Sequence, residues 1–159
     1  MIADAITYLI YALLVATLTQ PNAPRLFAAV AFVGVILLHE LALSSLDGLM
    51  YYGSAALLDL LIVVITSGIN PVPKMVLSLQ RLCLFSILLN LLGWVLWLLY
   101  APPWPYDLAF VAVYAWALYI LIRRDRADVG GFTMAGLVSC FRFDRSAWAV
   151  HFNQHGKKI

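Results

Sequence analysis

The chain is a succession of apolar runs whose cations fall only at alternate run ends. The ten Lys and Arg are Arg25, Lys74, Arg81, Arg123, Arg124, Arg126, Arg142, Arg145, Lys157 and Lys158. All of them can be placed on one side of a membrane. The opposite run ends carry Asp4, Asp47 and Asp107 and no Lys or Arg. Lys and Arg stay on the cytoplasmic side when a bilayer protein inserts, so this asymmetry sets the solvent and the orientation together. Composition agrees. Of the 159 residues, 64% are hydrophobic and 11% charged, against roughly 45–50% and about 25% in soluble domains. The basic residues flank apolar runs and form no single basic face, which argues against nucleic acid as a partner.

Seven prolines cut the chain at three places: Pro21 and Pro24; Pro71 and Pro73; Pro102, Pro103 and Pro105. Proline interrupts helices, so each cluster marks a loop. The apolar segments between them lie near 4–19, 26–69, 75–100 and 106–122. A span needs about 20 residues, so the second segment is too long for one crossing. With Arg25 before it and Lys74 after it on the same side, it must cross an even number of times. Its one polar interruption is Ser44-Ser45-Leu46-Asp47-Gly48. This predicts a helical hairpin, or a re-entrant variant of one that stops short of the outer surface.

The expected fold is an all-α polytopic transmembrane bundle over 1–126. Its five spans lie near 4–19, 25–44, 49–67, 77–100 and 106–122, with the N-terminus outside and the C-terminus inside. The first span lacks the basic flank of a signal peptide and reads as a retained helix. Tyr8, Tyr11, Tyr51, Tyr52, Trp97, Tyr100, Trp104 and Tyr106 fall near the expected outer ends, where Tyr and Trp favour the headgroup level. The basic cluster Arg123-Arg124-Asp125-Arg126 reads as a stop-transfer anchor, with contact to anionic lipids compatible. The remainder, 127–159, reads as a cytoplasmic or membrane-surface tail hinged at Gly130-Gly131. Its segment 141–155 suits either a hairpin or one helix. Arg142, Arg145 and Trp148 there suit a membrane-surface or docking face.

Ionisable groups inside a bilayer are costly and are functional candidates for that reason. Asp59 lies about 15 Å deep in the third span, where insertion of an aspartate costs about 3 kcal/mol. Asn90 in the fourth span sits at similar depth, with Ser86 one turn away, so an Asp59–Asn90 hydrogen bond is expected. Two roles fit Asp59: a proton or cation site, or a polar tie between helices. His39 and Glu40 lie in the outer third of the second span. On an ideal helix they point about 100° apart, which disfavours shared ligation of one ion. With Asp47 they would border a water-filled outer vestibule. His151 and His155 have metal-ligand spacing but no Glu between them, so no zinc hydrolase motif is present. Cys83 and Cys140 form no CxxC and read as small hydrophobes.

No serine has a GxSxG context and no Gly-rich phosphate loop occurs, so no catalytic residue, metal or cofactor is expected. The leading function is a non-enzymatic membrane protein of a bacterial-type plasma membrane. It would act by helix–helix assembly, as homo-oligomer or as accessory subunit or effector of a larger complex. Ala12 and Ala16 form a small-xxx-small pair consistent with helix contact. The second expectation is an oligomeric pore, a holin-like protein or a proton- or cation-coupled carrier built on Asp59. The third is a small membrane enzyme with a site near His39 and Glu40.

Overall fold

The computed structural model describes residues 2–70 and 72–123. Every regular element among them is helical: α1 (Ile2–Leu18), α2 (Ala23–Leu38) prolonged by a π-helical turn (His39–Leu43), α3 (Gly48–Ser67), α4 (Lys74–Leu98) and α5 (Trp104–Ile122). The proline clusters fall in or beside the connections. Pro24 sits in the first turn of α2, where the Asn22 side chain accepts the Arg25 amide at 3.2 Å. Proline lacks an N–H that this turn would leave unpaired anyway, and Asn is a favoured cap. Pro73 precedes α4, and Pro105 occupies the first turn of α5.

Four helical stretches are long and apolar enough to cross a membrane: Ala23–Leu43, Gly48–Ser67, Lys74–Leu98 and Trp104–Ile122. Helix α1 is apolar but shorter, at 17 residues. By length and composition this is a multi-pass membrane bundle. The outward surface agrees, because Leu57, Leu61, Val64, Leu88 and Leu91 are exposed mid-helix. Water would penalise such a face; lipid does not.

Successive helices alternate in direction. The ends of α1 and α5 meet the start of α2 through Gln20, Arg25 and Leu121. The end of α3 meets the start of α4, where Gln80 Nε2 donates to Thr66 Oγ1 at 3.1 Å. At the other end, α2 finishes beside the start of α3, with His39 against Tyr51. Charge follows this polarity. Arg25, Lys74, Arg81 and Arg123 lie toward the first end, termed here the basic end. Asp4, Glu40, Asp47 and Asp107 lie toward the other, the acidic end.

The most extensive helix pair is α3 with α4, followed by α1 with α5 and α4 with α5. The core between them holds Leu13, Ala28, Phe32, Val76, Leu79 and Ala117. Two glycines set how closely elements approach. Gly48 starts α3 at φ +54°, and a Cβ there would lie 2.8 Å from the Trp97 ring. Backbone conformation and space both demand glycine at that point. Gly93 on α4 is the crossing point for two rings: a Cβ would lie 2.5 Å from Tyr106 and 2.6 Å from Tyr52.

Arg25 does not behave as a simple flanking cation. It is fully buried, at 0% exposure. Its Nη2 donates to the carbonyls of Leu121 (3.4 Å) and Arg123 (2.9 Å), and its Nε donates to Gln20 Oε1 at 3.1 Å. Gln20 Nε2 in turn donates to the carbonyls of Ala16 (2.7 Å) and Leu121 (3.1 Å). The last carbonyls of a helix have no partner within it and carry its negative dipole end, so a guanidinium suits them doubly. One side chain thus ties together α1, α2 and α5.

Candidate functional site

The polar residues of the membrane-spanning region converge. His39, Glu40, Asp59, Ser86, Asn90 and Asp107 all border one cavity of about 80 Å³ among α2, α3, α4 and α5, with Tyr51, Tyr106 and Tyr114 in its walls. Two elements supply the deep end. Asp59 lies on α3, about 17 Å along from Gly48, and Ser86 and Asn90 lie on α4, one turn apart. Helix α3 packs on α4 along its length, tied by Gln80 and Thr66 near the basic end and by Trp97 over Gly48 near the acidic end. These ties fix the register that sets Asp59 opposite Asn90.

Asn90 is the hub. It is 1% exposed. Its Nδ2 donates to the Ser86 carbonyl at 3.1 Å and to Asp59 Oδ2 at 3.5 Å, and its Oδ1 accepts from the Tyr106 hydroxyl at 2.8 Å. The contact to Asp59 is long, whereas the bond from Tyr106 is short and strong in geometry. Asn90 therefore joins α3, α4 and α5, with the firmer link to α5. In a low-dielectric interior such a network favours one arrangement, because each unmet polar group would be costly.

The shallow end is built by the π turn. His39 and Glu40 open the turn His39–Leu43, which inserts an extra residue per turn, and both border the cavity although neighbours on a helix point well apart. Such insertions are frequent at functional positions. His39 Nε2 lies 3.4 Å from the Tyr51 carbonyl, and its ring meets Tyr51 edge-on at 4.8 Å. A carbonyl only accepts, so this contact requires the proton on Nε2.

From there a chain of aromatic rings runs around the cavity. Tyr51 meets Tyr52 at 5.1 Å, Tyr52 meets Tyr106 at 5.2 Å, Tyr106 meets Phe110 at 4.7 Å, and Phe110 meets Tyr114 at 6.0 Å. The first two and the last are edge-on, the arrangement that ring quadrupoles favour. This corrects the reading of the outer aromatics as one belt. Tyr8, Tyr11, Trp97, Tyr100 and Trp104 are exposed, but Tyr51, Tyr52 and Tyr106 turn inward. Two further exposed aromatics, Trp116 and Tyr119, stand toward the basic end.

Asp47 is exposed in the turn before α3 and does not border the cavity. Among the described residues, no three of His, Cys, Asp and Glu come together as a metal-binding group. Arg123 closes α5, its carbonyl held by Arg25. Arg124, Arg126, Arg142, Arg145, Trp148, Cys140, His151, His155 and the tail as hairpin or helix lie outside the described residues. Tyr114 is not singled out by sequence, and Tyr106 reads there only as an outer-end aromatic, because their roles depend on which face α5 turns inward. Comparison with protein families, with curated proteins and with solved structures finds no match for this chain.

Proposed function

We propose that this chain is a non-enzymatic, multi-pass protein of a bacterial-type plasma membrane that works through its exterior. It packs against other membrane helices, or copies of itself, as an accessory subunit or effector of a larger complex. The observation that carries this reading is the smallness and self-sufficiency of the interior. The polar cavity measures about 80 Å³, room for a few waters. Small-molecule sites run to about 300–1,000 Å³. Several of its polar groups bond one another: Tyr106 to Asn90, and Asn90 to Asp59. The interior serves the bundle, and the working surface is outside. Separation of acidic and basic ends supports five spans with the N-terminus outside and the C-terminus inside.

A second reading has its own observation. His39, Glu40, Asp59 and Asp107 border the same cavity, and among the described residues no Lys or Arg does. That lining suits a proton or small cation, in a carrier or in a pore of several copies. Asp59→Asn separates the two readings in vesicles reconstituted with the full chain. On the assembly reading, wild type and variant show equal, background ion flux, and the variant loses mass in the complex recovered from native membranes. Wild-type flux that Asp59→Asn abolishes, with assembly intact, overturns that reading in favour of a conduction path.

A further inference from the structure

The outer surface carries a second concentration of chemistry, between α4 and α5 at the basic end. A groove of about 340 Å³ there is bordered by Lys74, Ser78, Arg81, Trp116, Tyr119 and Arg123. It continues into an apolar trough of about 520 Å³ bordered by Leu82, Phe85, Ala109, Ala112 and Val113. Ser78, Arg81 and Trp116 border both parts, so the two form one groove, cationic at its mouth and apolar beyond. No carboxylate borders either part among the described residues.

The spacing on α4 is regular. Lys74, Ser78, Arg81 and Phe85 follow one another at intervals of four, three and four residues, which is one helix face. Arg81 is exposed and stands seven residues inside a helix that begins at Lys74. That is about 10 Å along the axis, deeper than the span expected from 77–100 would put it. A guanidinium at that depth on a lipid-facing surface calls for an anion within reach, and Arg binds phosphate through paired N–H donors. From Lys74 to Phe85 is about 16 Å, close to one leaflet of a hydrocarbon core of about 30 Å. Trp116 and Tyr119 at the mouth have the amphipathic character that suits headgroup level. Ala109 and Ala112 leave the trough open by their small size.

We propose that this groove holds one anionic phospholipid of the surrounding leaflet, its phosphate against Lys74 and Arg81 and an acyl chain along the trough. The site is independent of the polar cavity and of the assembly reading. Charge complementarity and the continuation of the cationic mouth into an apolar channel together select a lipid. A soluble anion would use only the mouth, and an acidic helix of another protein would leave the trough unfilled.

The test uses the full chain in an uncharged detergent, incubated with phosphatidylglycerol or with phosphatidylcholine. Native mass spectrometry counts the lipid retained. The expected result is one phosphatidylglycerol held in preference to phosphatidylcholine. Arg81→Gln should lower that retention by roughly fivefold, the scale of one cation near an anionic surface. Arg81→Lys should restore part of it. Ala112→Trp fills the trough without altering charge and should lower retention as well. Far-UV circular dichroism checks that each variant stays helical; if one does not, Lys74→Gln and Ala109→Trp carry the same comparison. Equal retention of the two lipids overturns the proposal. So does indifference to both the charge and the trough variants, displacement of the lipid by millimolar inorganic phosphate, or loss of retention only when a partner protein is removed.

Discussion

Gly93 offers the sharpest test of the packing, because two physical effects there have opposite signs. In a helix interior Gly is about 1 kcal/mol less favourable than Ala. On propensity alone, Gly93→Ala should stabilise the protein. The structure says otherwise. A Cβ at this position would stand 2.5 Å from Tyr106 Cε2 and 2.6 Å from Tyr52 Cε1, where carbon atoms prefer about 3.5–4.0 Å. Each ring would have to retreat by about 1 Å. Neither is free to do so, since Tyr106 is pinned by its 2.8 Å bond to Asn90 and by edge contact with Tyr52 at 5.2 Å.

Overpacking costs about 1–3 kcal/mol. Loss of the Tyr106–Asn90 bond adds about 0.5–1.5 kcal/mol. Less the propensity gain, Gly93→Ala should destabilise by about 1–3 kcal/mol, roughly a 5- to 150-fold change in the unfolding equilibrium. Reversible unfolding of the full chain in mixed micelles, followed by tryptophan fluorescence and far-UV circular dichroism, measures this. In a Tyr52→Ala/Tyr106→Ala background the rings are gone and the same substitution should stabilise by up to about 1 kcal/mol. A wild-type-background variant as stable as the parent, or more so, would refute the close crossing of α3 and α5 over α4.

Arg25→Met keeps the apolar stem and removes the guanidinium. It removes the bonds to the Leu121 and Arg123 carbonyls and to Gln20 and should cost about 3 kcal/mol by the same unfolding assay; a loss under about 0.5 kcal/mol would contradict the clamp. Tyr100 ends α4 at φ 53°, the left-handed conformation, with Ala101 N–H bonding back to Leu96 at 2.9 Å. Tyr100→Gly should therefore stabilise by about 1 kcal/mol, and an unchanged unfolding midpoint would speak against that helix end. For the orientation, Asp47→Cys and Pro103→Cys should react with an impermeant maleimide on intact cells, while Lys157→Cys should react only after lysis; the reverse pattern inverts the topology.

Much of the architecture is legible in sequence because it depends on local chemistry. Proline clusters locate three connections, and the lone polar break at 44–48 locates the helical hairpin. The helix ends fall within three residues of those expected, since caps and breakers act over one turn. Asp59 and Asn90 are visible because polarity at depth is rare in a bilayer. What escapes is whatever tertiary packing decides. No residue announces the π turn at His39–Leu43, or that His39 and Glu40 border one cavity with Asp59. Arg25 reads as an inner flank because nothing local shows that α5 will end beside it. Tyr51, Tyr52 and Tyr106 resemble belt residues until Gly93 lets two of them cross α4. Arg81 reads as a run-end cation only until the start of α4 is fixed at Lys74.

The clamp at Arg25 also dictates a timetable. Its two carbonyl partners lie 96 and 98 residues further along the chain. At synthesis rates of about 5–20 residues per second, the ribosome needs roughly 5–20 s to deliver them. During that interval α2 is present while its guanidinium still waits for the two carbonyls at the end of α5. The tie among α1, α2 and α5 closes only when α5 arrives. A nascent chain halted before Leu121 should stay susceptible to membrane quality-control proteases, and release of α5 should end that susceptibility in one step.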